Sequence, residues 1–452
     1  MSFAKYPAYK DSGVAWLGEV PGHWEITPLY AVATERDESN AGMLQDNLLS
    51  LSYGKIVNKD INSNDGLLPE SFETYQIVRC DDIVFRLTDL QNDKRSLRSA
   101  LVKQDGIITS AYLAIQPNDA NAYYLSYLFR SYDTTKVFYS MGGGLRQSMK
   151  FSDMKRLPTL LPPPEEQTAI ATFLDHETAK IDALVAEQEK LIALLQEKRQ
   201  AVISHAVTKG LNPNAPMKDS GVEWLGEMPG HWEVRRIRDL SSFLTSGPRG
   251  WSERISEEGA KFIQSGDLTD ELSIAFDEAK RVAVNDDAEA ARTKLADGDV
   301  VVCITGAKTG NVALCGVVPE DAYVNQHLCL IRPRPDILPD LLAIYLKSDA
   351  GQRHFAVAQY GLKQGMSLEN IKETPVLVPP IHEQRQIVEI ARSTSVSIGA
   401  LITAARTAIT LLQERRTALI SAAVTGQIDV RGLAGSANAP DSVAASAYPA
   451  SA

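Results

Sequence analysis

The sequence is short of three things, and each shortage excludes a class of function. Its four cysteines, Cys80, Cys303, Cys315 and Cys329, form no CxxC pair and no Cys/His ligand spacing. Cys303 and Cys329 lie inside the apolar runs VVCIT and HLCLI, and free cysteines of this kind are expected as small core residues. The seven histidines show no HxxH or HExxH pattern, so no metal site is expected. There is no unbroken apolar run of about eighteen residues, so no membrane span is expected. The N-terminal MSFAKYPAYKD lacks the apolar centre of a signal peptide, which points to the cytosol.

Catalytic motifs are also missing. A methyltransferase would need a glycine-rich cofactor loop and, for amino groups, an (N/D)PP(Y/F) motif; Asn212-Pro213-Asn214 lacks the second proline and the aromatic. Gly142-Gly143-Gly144 does not end a strand before a helix and reads as a flexible turn. A metal-dependent nuclease needs clustered carboxylates near a lysine. Glu278-Ala279-Lys280 supplies an ExK, but the Pro-Asp pairs at 335–336 and 339–340 follow it in the wrong order. No Walker loop and no GxSxG elbow occurs. The net charge of −11 argues against bulk coating of nucleic acid but leaves a site-specific binder open. Residues 26–160 carry 15 basic against 16 acidic side chains and residues 234–378 carry 17 against 21, so most of the acidic excess lies elsewhere.

What the chain does contain is itself, twice. KDSGVAWLGEVPGHWE (10–25) returns as KDSGVEWLGEMPGHWE (218–233), with only Ala15/Glu223 and Val20/Met228 different. Four of the five tryptophans, Trp16, Trp24, Trp224 and Trp232, sit in these copies, so chance is not an adequate explanation. PPPEEQ (162–167) returns as PPIHEQ (379–384), and QEKRQAVISHAVTKG (196–210) as QERRTALISAAVTGQ (413–427). Upstream, GLRQSMKFSDMKRLPTLLPP (144–163) faces GLKQGMSLENIKETPVLVPP (361–380). Fainter echoes pair DIVFRLT (82–88) with DVVVCIT (299–305), and SAYLAIQP (110–117) with QHLCLIRP (326–333). Each half therefore has a tryptophan-containing opening, a divergent body, a proline junction and a repeated helical segment.

That helical segment carries a heptad pattern. Leu174, Ile181, Gln188, Leu195 and Val202 form one series; Glu177, Leu184, Leu191, Lys198 and His205 form the other. The second copy gives Ile398, Ala405, Leu412 and Leu419 with Leu401, Ala408 and Ala422. Pro164 and Pro380 stand at the starts, Gly210 and Gly426 at the ends. From 165 to 209 an unbroken helix would run roughly 65 Å. Its simplest packing partner is its own duplicate. The bodies read as mixed α/β, with strand-like DIVFRL, VVCIT and YLAIQP between turn signals. The predicted layout is an opening segment (1–25), body (26–160), helix (161–211), second opening (212–233), second body (234–378), second helix (379–430) and a disordered Ala/Ser-rich tail (431–452).

The doubled opening motif, the doubled LPPPEEQ-type junction and the long helix ending QEKRQAVISHAVTKGL together resemble the specificity subunit of type I restriction–modification systems, over nearly the whole chain except the tail. The resemblance implies two tandem, pseudo-symmetric α/β (α+β) target-recognition domains, held apart by two long helices in an antiparallel coiled coil. It implies a non-catalytic subunit that reads a bipartite double-stranded DNA site. Two modification subunits, which bind S-adenosylmethionine and methylate adenine N6, would be its partners. Restriction subunits, with ATP and Mg, would complete the assembly. This chain would bind no cofactor itself. An enzyme with divergent motifs, or a coiled-coil scaffold without DNA readout, are the alternative readings.

Candidate DNA contacts follow. Arg146-Gln147 and Lys363-Gln364 are aligned, and these side chains suit guanine and adenine edges or phosphate. Lys94, Arg95 and Arg98 form a basic cluster opposite Lys308 in the second body. Arg249 and Trp251 lie in TSGPRGW, similar to a DNA-facing loop of the family. Arg235, Arg236 and Arg238 suit either phosphate or surface ion pairs. Trp16, Trp24, Trp224 and Trp232 are expected to anchor the opening segments or to form matching docking surfaces for two partners.

Overall fold

The structure, a computed structural model, describes residues 3–61, 69, 71–88, 90, 97–141, 149–285, 287–359 and 365–433. Contacts divide it into two compact units, Met1–Gln188 with Thr407–Ala452, and Glu189–Arg406. Both units draw on both long helices, Pro164–Lys209 and Ile381–Val424.

Each opening motif folds into the same hairpin. Tyr9–Asp11 pairs with Glu19–Pro21, and Met217–Asp219 with Glu227–Pro229. The loop closes through Ser12 N–H to the Gly18 carbonyl and Ser220 N–H to the Gly226 carbonyl, each at 3.0 Å. Gly18 and Gly226 hold φ of 65° and 62°, a left-handed conformation that glycine adopts without steric cost. The strand that follows each hairpin closes its body: Glu25–Pro28 pairs with Pro158–Leu161, and Glu233–Arg236 with Pro375–Val378. Each body therefore leaves and returns at one place.

The faint sequence echoes prove to be the central strands of one repeated sheet. In the first unit the antiparallel order is Ala33–Glu35, Leu113–Pro117, Ile83–Phe85, Ser99–Leu101. In the second it is Ser241–Ser246, Leu328–Pro333, Val300–Cys303, Val312–Leu314. At the start of the Ile83 and Val300 strands stand the buried Asp82 and Asp299. Each takes a two-pronged arginine, Arg36 at 2.9 and 2.9 Å and Arg332 at 2.8 and 2.8 Å, though from different strands. The second layers share a plan. In the first body Lys55–Asn58 pairs with Leu49–Ser52, Leu48 bridges Ile107 in parallel, and Gly106–Ile108 pairs with Gln76–Val78; in the second Lys280–Val282 pairs with Ala260–Ile263, which runs parallel to Ala322–Val324, and Tyr323 bridges Lys294.

A carboxylate at the head of each long helix joins hairpin to helix. Glu166 accepts from the indole N–H of the buried Trp24 (3.0 Å) and from the Tyr6 hydroxyl, and lies 2.8 Å from His23 Nε2. Glu383 accepts from the indole of the buried Trp232 (2.9 Å) and lies 2.6 Å from His231 Nε2. The next residue reaches the body. Gln167 accepts from the backbone N–H of Asn121, the N-cap of helix Ala122–Thr134, at 2.8 Å. Gln384 accepts from Leu338, the N-cap of helix Pro339–Lys347, also at 2.8 Å.

Within the first unit, the head of the first long helix (Ile170, Phe173, Leu174) shares a core with the foot of the second (Leu419, Ile420, Ala423, Val424), and Asp182 pairs with Arg416 at 3.3 Å. The two segments therefore run antiparallel. In the second unit Ala206 and Val207 meet Ile387, Val388 and Ala391. The mixed α/β fold with long paired helices is thus present. The heptad expectation needs correction in one respect. Leu174, Ile181, Ile398, Ala405 and Leu419 are buried, but Leu184, Leu191 and Leu401 of the second series are exposed. A single neighbouring helix covers one stripe and leaves its flank open.

Three further expectations change. Helix Ile381–Val424 is long and apolar enough to cross a membrane by length and composition, with mean hydropathy 1.5 over its richest window, although no unbroken apolar run exists. Its Ile, Leu, Val and Ala residues carry that value, with Ser, Thr and Gly interrupting the run, and Ile398, Ile402 and Ala405 are buried against the protein. Cys80 is exposed, whereas Cys303, Cys315 and Cys329 are buried and their thiols pushed up by desolvation, Cys315 to about 12. Of the expected tail, Arg431 pairs with Asp429 at 2.6 Å and stacks over Tyr6, and Leu433 packs on the core; 434–452 lie outside the described residues.

The Glu383 clamp gives a first prediction. Burial raises its carboxyl pKa, but the hydrogen bonds from Trp232 and His231 outweigh that and hold it below the usual range. Its contribution is therefore complete above the unfolded carboxylate value of about 4.3 and is lost as pH falls through the lower folded value. Glu383→Ala should cost about 1–3 kcal/mol in urea unfolding at neutral pH by leaving the buried indole N–H unpaired. It should also flatten the acid limb of the stability profile; an unchanged limb would place that pH dependence in other groups.

Candidate nucleic-acid interface

The register of the second body fixes which loops share an end of its sheet. Ser246 lies opposite Cys329, Cys303 opposite Leu328, and Val302 opposite Val312. Residues 247–250, 304–311 and 325–327 therefore leave the sheet together. In the first body Phe85 lies opposite both Leu113 and Ser99, so the described residues 86–88, 97–98 and 109–112 lie at the corresponding end. The residues singled out from the sequence in two unrelated stretches converge here. Arg249 is in the first of these loops and Lys308 in the second.

Arg146, Gln147, Lys363, Gln364, Lys94 and Arg95 lie outside the described residues. The chain following the two Gly-Leu-(Arg/Lys)-Gln segments re-enters at this same end. Met149 N–H donates to the Leu87 carbonyl at 3.0 Å, and Met366 N–H to the Ile304 carbonyl at 2.8 Å, with a bridge between Thr305 and Gly365.

Arg249 is exposed and has no ion-pair partner among the described residues. The loop that bears it is pinned by Gly247, whose N–H donates to the Asn325 carbonyl at 3.2 Å; a Cβ there would stand 2.1 Å from the Val324 carbonyl oxygen. Lys308 is exposed and donates to the Gly266 carbonyl at 3.2 Å. Nearby Asp267 has its pKa raised by burial, against the opposing pull of its hydrogen bond from Gln264 and of Lys308.

Two candidates do not belong to this surface. Arg98 is fully buried: its guanidinium donates to the carbonyl of Thr88 (3.1 Å) and approaches that of Arg86 and the Tyr139 hydroxyl at 3.4 Å, while its N–H donates to Asp133. It holds the base of the 86–98 loop from inside, which its place in a hydrophilic run concealed. Trp251 is likewise buried, packed on Phe262 and Tyr323 with Arg254 over its ring, so it anchors the Arg249 loop. Arg235 pairs with Asp336 at 2.5 Å, and Arg236 and Arg238 both pair with Glu373.

The tryptophans divide by position. Trp24 and Trp232 are enclosed at the clamps and present no surface, which corrects the docking expectation for that pair. Trp16 is 45% exposed with its ring edge-on to Tyr132 at 4.8 Å; Trp224 is half-buried against His354 at 5.7 Å. Sequence reasoning missed Thr305, Gln326 and His327. Thr305 Oγ1 lies 2.5 Å from His327 Nδ1, and Gln326 Nε2 lies 3.2 Å from His327 Nε2. The available signal was a pair of polar residues at the head of a strand echo. No group of three or more potential metal ligands is found among the described residues.

Comparison with known proteins fits this architecture. Residues 229–395 match the family described as type I restriction modification DNA specificity domain. The chain is 27% identical over 249 residues to the specificity subunit of the type I restriction enzyme EcoKI of Escherichia coli K12, covering 52% of this chain and 50% of that protein. It is 20% identical over 435 residues to a putative type I restriction enzyme MjaX specificity subunit of Methanocaldococcus jannaschii, covering 92% and 96%. The match thus spans about half the length of the Escherichia coli relative. A chain from a solved structure concerned with complex assembly and conformational transition of the type I restriction–modification system superposes with TM-score 0.68 at 18% identity, covering 90% of this chain and 98% of that one. That last likeness is one of fold. Residues 229–395 belong to the type I specificity-domain family, and the resemblance of the chain to specificity subunits of type I systems stands.

Arg98→Ala should destabilise the first unit by on the order of 3 kcal/mol, because it strips charge-assisted bonds from buried carbonyls. Arg249→Ala should change stability by less than about 0.5 kcal/mol. Paired urea titrations check both; equal effects would contradict the assigned environments.

Proposed function

We propose that this chain is the non-catalytic DNA-specificity subunit of a type I restriction–modification complex, and that its two bodies each read one half of a bipartite double-stranded site. The observation that carries this reading is the repeat of one sheet order in two bodies, with Arg249 and Lys308 on loops that leave one sheet end of the second and with sequence that diverges at the matching positions of the first. Duplicated parts hold; divergent parts read. Half-sites on one face of B-DNA lie about one turn, ~34 Å, apart, and long helices are a suitable ruler for such a gap. On this reading Arg249 and Lys308, with Arg146, Gln147, Lys363, Gln364, Lys94 and Arg95, supply contacts to phosphate or base edges.

Two modification subunits would dock on this chain and carry S-adenosylmethionine and the adenine N6 chemistry. Restriction subunits would bring ATP and Mg. The exposed apolar flank of the long helices (Leu184, Leu191, Leu194, Leu401 and Leu411), with Trp16 and Trp224, supports such docking. Adenines would be drawn from the stack in the modification subunits. The complex would work in the cytoplasm.

The test is to co-express the chain with its modification subunit in a host without adenine methylation and to map N6-methyladenine across the genome. A split motif methylated once per strand, and absent without this chain, is expected. Exchange of residues 26–160 for another body should change one half of the motif only; change in both halves or in neither would refute the two-reader arrangement. In the assembled complex, Arg249→Ala should lower the slope of log affinity against log salt by about 0.9, the share of one phosphate contact.

A further inference from the structure

We propose that Tyr53 is a DNA contact of the first body, presented at a hairpin tip so that its ring enters a groove of the half-site read there, with Lys55 on the adjoining phosphate. This rests on the DNA-reading function proposed above.

Register places the tip at the loop end of the sheet. Ser52 lies opposite Lys55, so Tyr53 and Gly54 alone make the turn between Leu49–Ser52 and Lys55–Asn58. Leu48 bridges Ile107 in parallel, and the strand Gly106–Ile108 runs on into 109–112. The first strand of the hairpin therefore runs toward the same end. Side-chain contacts agree. Arg130 Nη2 donates to the carbonyls of Gly54 and Ser99, each at 2.6 Å, and Ser99 lies opposite Phe85, where 86–88 and 97–98 leave the sheet. In the second body the matching connection, 264–279, also reaches the loop end: Lys308 donates to the Gly266 carbonyl at 3.2 Å and Asn311 Nδ2 to the Leu268 carbonyl at 3.1 Å.

The turn itself is a poor place for tyrosine. Tyr53 and Gly54 hold φ of 45° and 74°, the signs of a type I′ turn, for which Asn-Gly is a preferred pair. A bulky side chain at positive φ is an outlier on steric grounds. Gly54 has a local reason to be there, because a Cβ would stand 2.1 Å from Arg130 Nη1. Tyr53 has none within the chain. It is 81% exposed, and its side chain has no hydrogen bond and no ring contact among the described residues. A single exposed aromatic needs no explanation. One kept where the backbone disfavours it, on a turn tied down by an arginine, points to a use outside the chain. Its ring offers a rigid apolar face and its hydroxyl a hydrogen bond to phosphate or a base edge. Lys55, exposed and without an ion-pair partner among the described residues, sets a cation beside it.

The second body has no such tip. The connection 264–279 replaces the two-residue turn, and its one aromatic, Phe276, packs on the core. Two readers of different half-sites should differ at such a point.

The test uses the assembled complex, with methylation mapping, thermal midpoints and binding to a duplex that carries the mapped split sequence. Tyr53→Asn gives the turn its preferred residue. It is expected to keep or raise the thermal midpoint while lowering affinity on the order of 10-fold. It should relax only the half of the motif that changes when residues 26–160 are exchanged. A residue that merely supports the fold would not move stability and binding in opposite directions. Tyr53→Phe, which keeps the ring, should lose less than Tyr53→Asn; equal loss would overturn the groove contact. Lys55→Ala should lower the slope of log affinity against log salt by about 0.9, whereas Tyr53→Asn leaves it unchanged. Wild-type affinity and motif in Tyr53→Asn, or a loss accompanied by a lower thermal midpoint, would overturn the assignment. A wild-type complex that methylates no split sequence would instead overturn the underlying function, and this inference with it.

Discussion

A carboxylate at the head of each long helix, bonded to a buried tryptophan, is the constraint on which the rest depends. Glu166 and Glu383 take the indole N–H of tryptophans that are wholly enclosed. A buried indole without an acceptor is costly, and for Glu166 so is a buried carboxylate without donors. The pairing joins the hairpin and the strand that opens each body to a helix more than a hundred residues further on, 142 in the first copy and 151 in the second. Gln167 and Gln384, one residue on, complete the junction at the first helix of each body. The two most duplicated motifs are therefore halves of one device, which is why neither is repeated without the other.

A body attached in this way is free to vary. It departs and returns through one antiparallel strand pair, so changes inside it do not alter the attachment. The four-stranded sheets keep one order although little sequence is shared, and Asp82 and Asp299 keep one task with arginines drawn from different strands. The carboxylate position is held by the turn before the strand; the cation need only arrive from somewhere. The second layers keep the same parallel contact, as a single bridge between Leu48 and Ile107 in the first body and as a paired ladder between Lys261–Ile263 and Ala322–Val324 in the second.

This explains what could be read from the sequence. The hairpins, junctions and helices were legible because duplication marks them, and the echoes DIVFRLT/DVVVCIT and SAYLAIQP/QHLCLIRP were the central strands. Burial of single polar residues was not legible. Arg98 sits in a run as hydrophilic as any surface loop, yet its stem enters the core and its guanidinium serves carbonyls. Trp251 reads as a loop aromatic but belongs to a small core with Phe262 and Tyr323. Heptad periodicity showed where a helix is apolar, but not how many neighbours it has; Leu184 and Leu191 match Leu174 in spacing and differ from it in what covers them.

The distribution of charge follows the same division between holding and reading. Arg235, Arg236, Arg238, Arg281 and Lys294 all have carboxylate partners. Exposed pairs of this kind add little stability, but they neutralise cations that would otherwise attract any polyanion over the whole surface. Arg249 and Lys308 lack such partners among the described residues. With a net charge of −11, long-range attraction to a polyanion is weak, so on the proposed function Arg249 and Lys308 would act at short range, where contacts are also most selective. On the proposed function, an acidic chain sacrifices non-specific affinity, and that favours discrimination between sites over tight binding to any one of them.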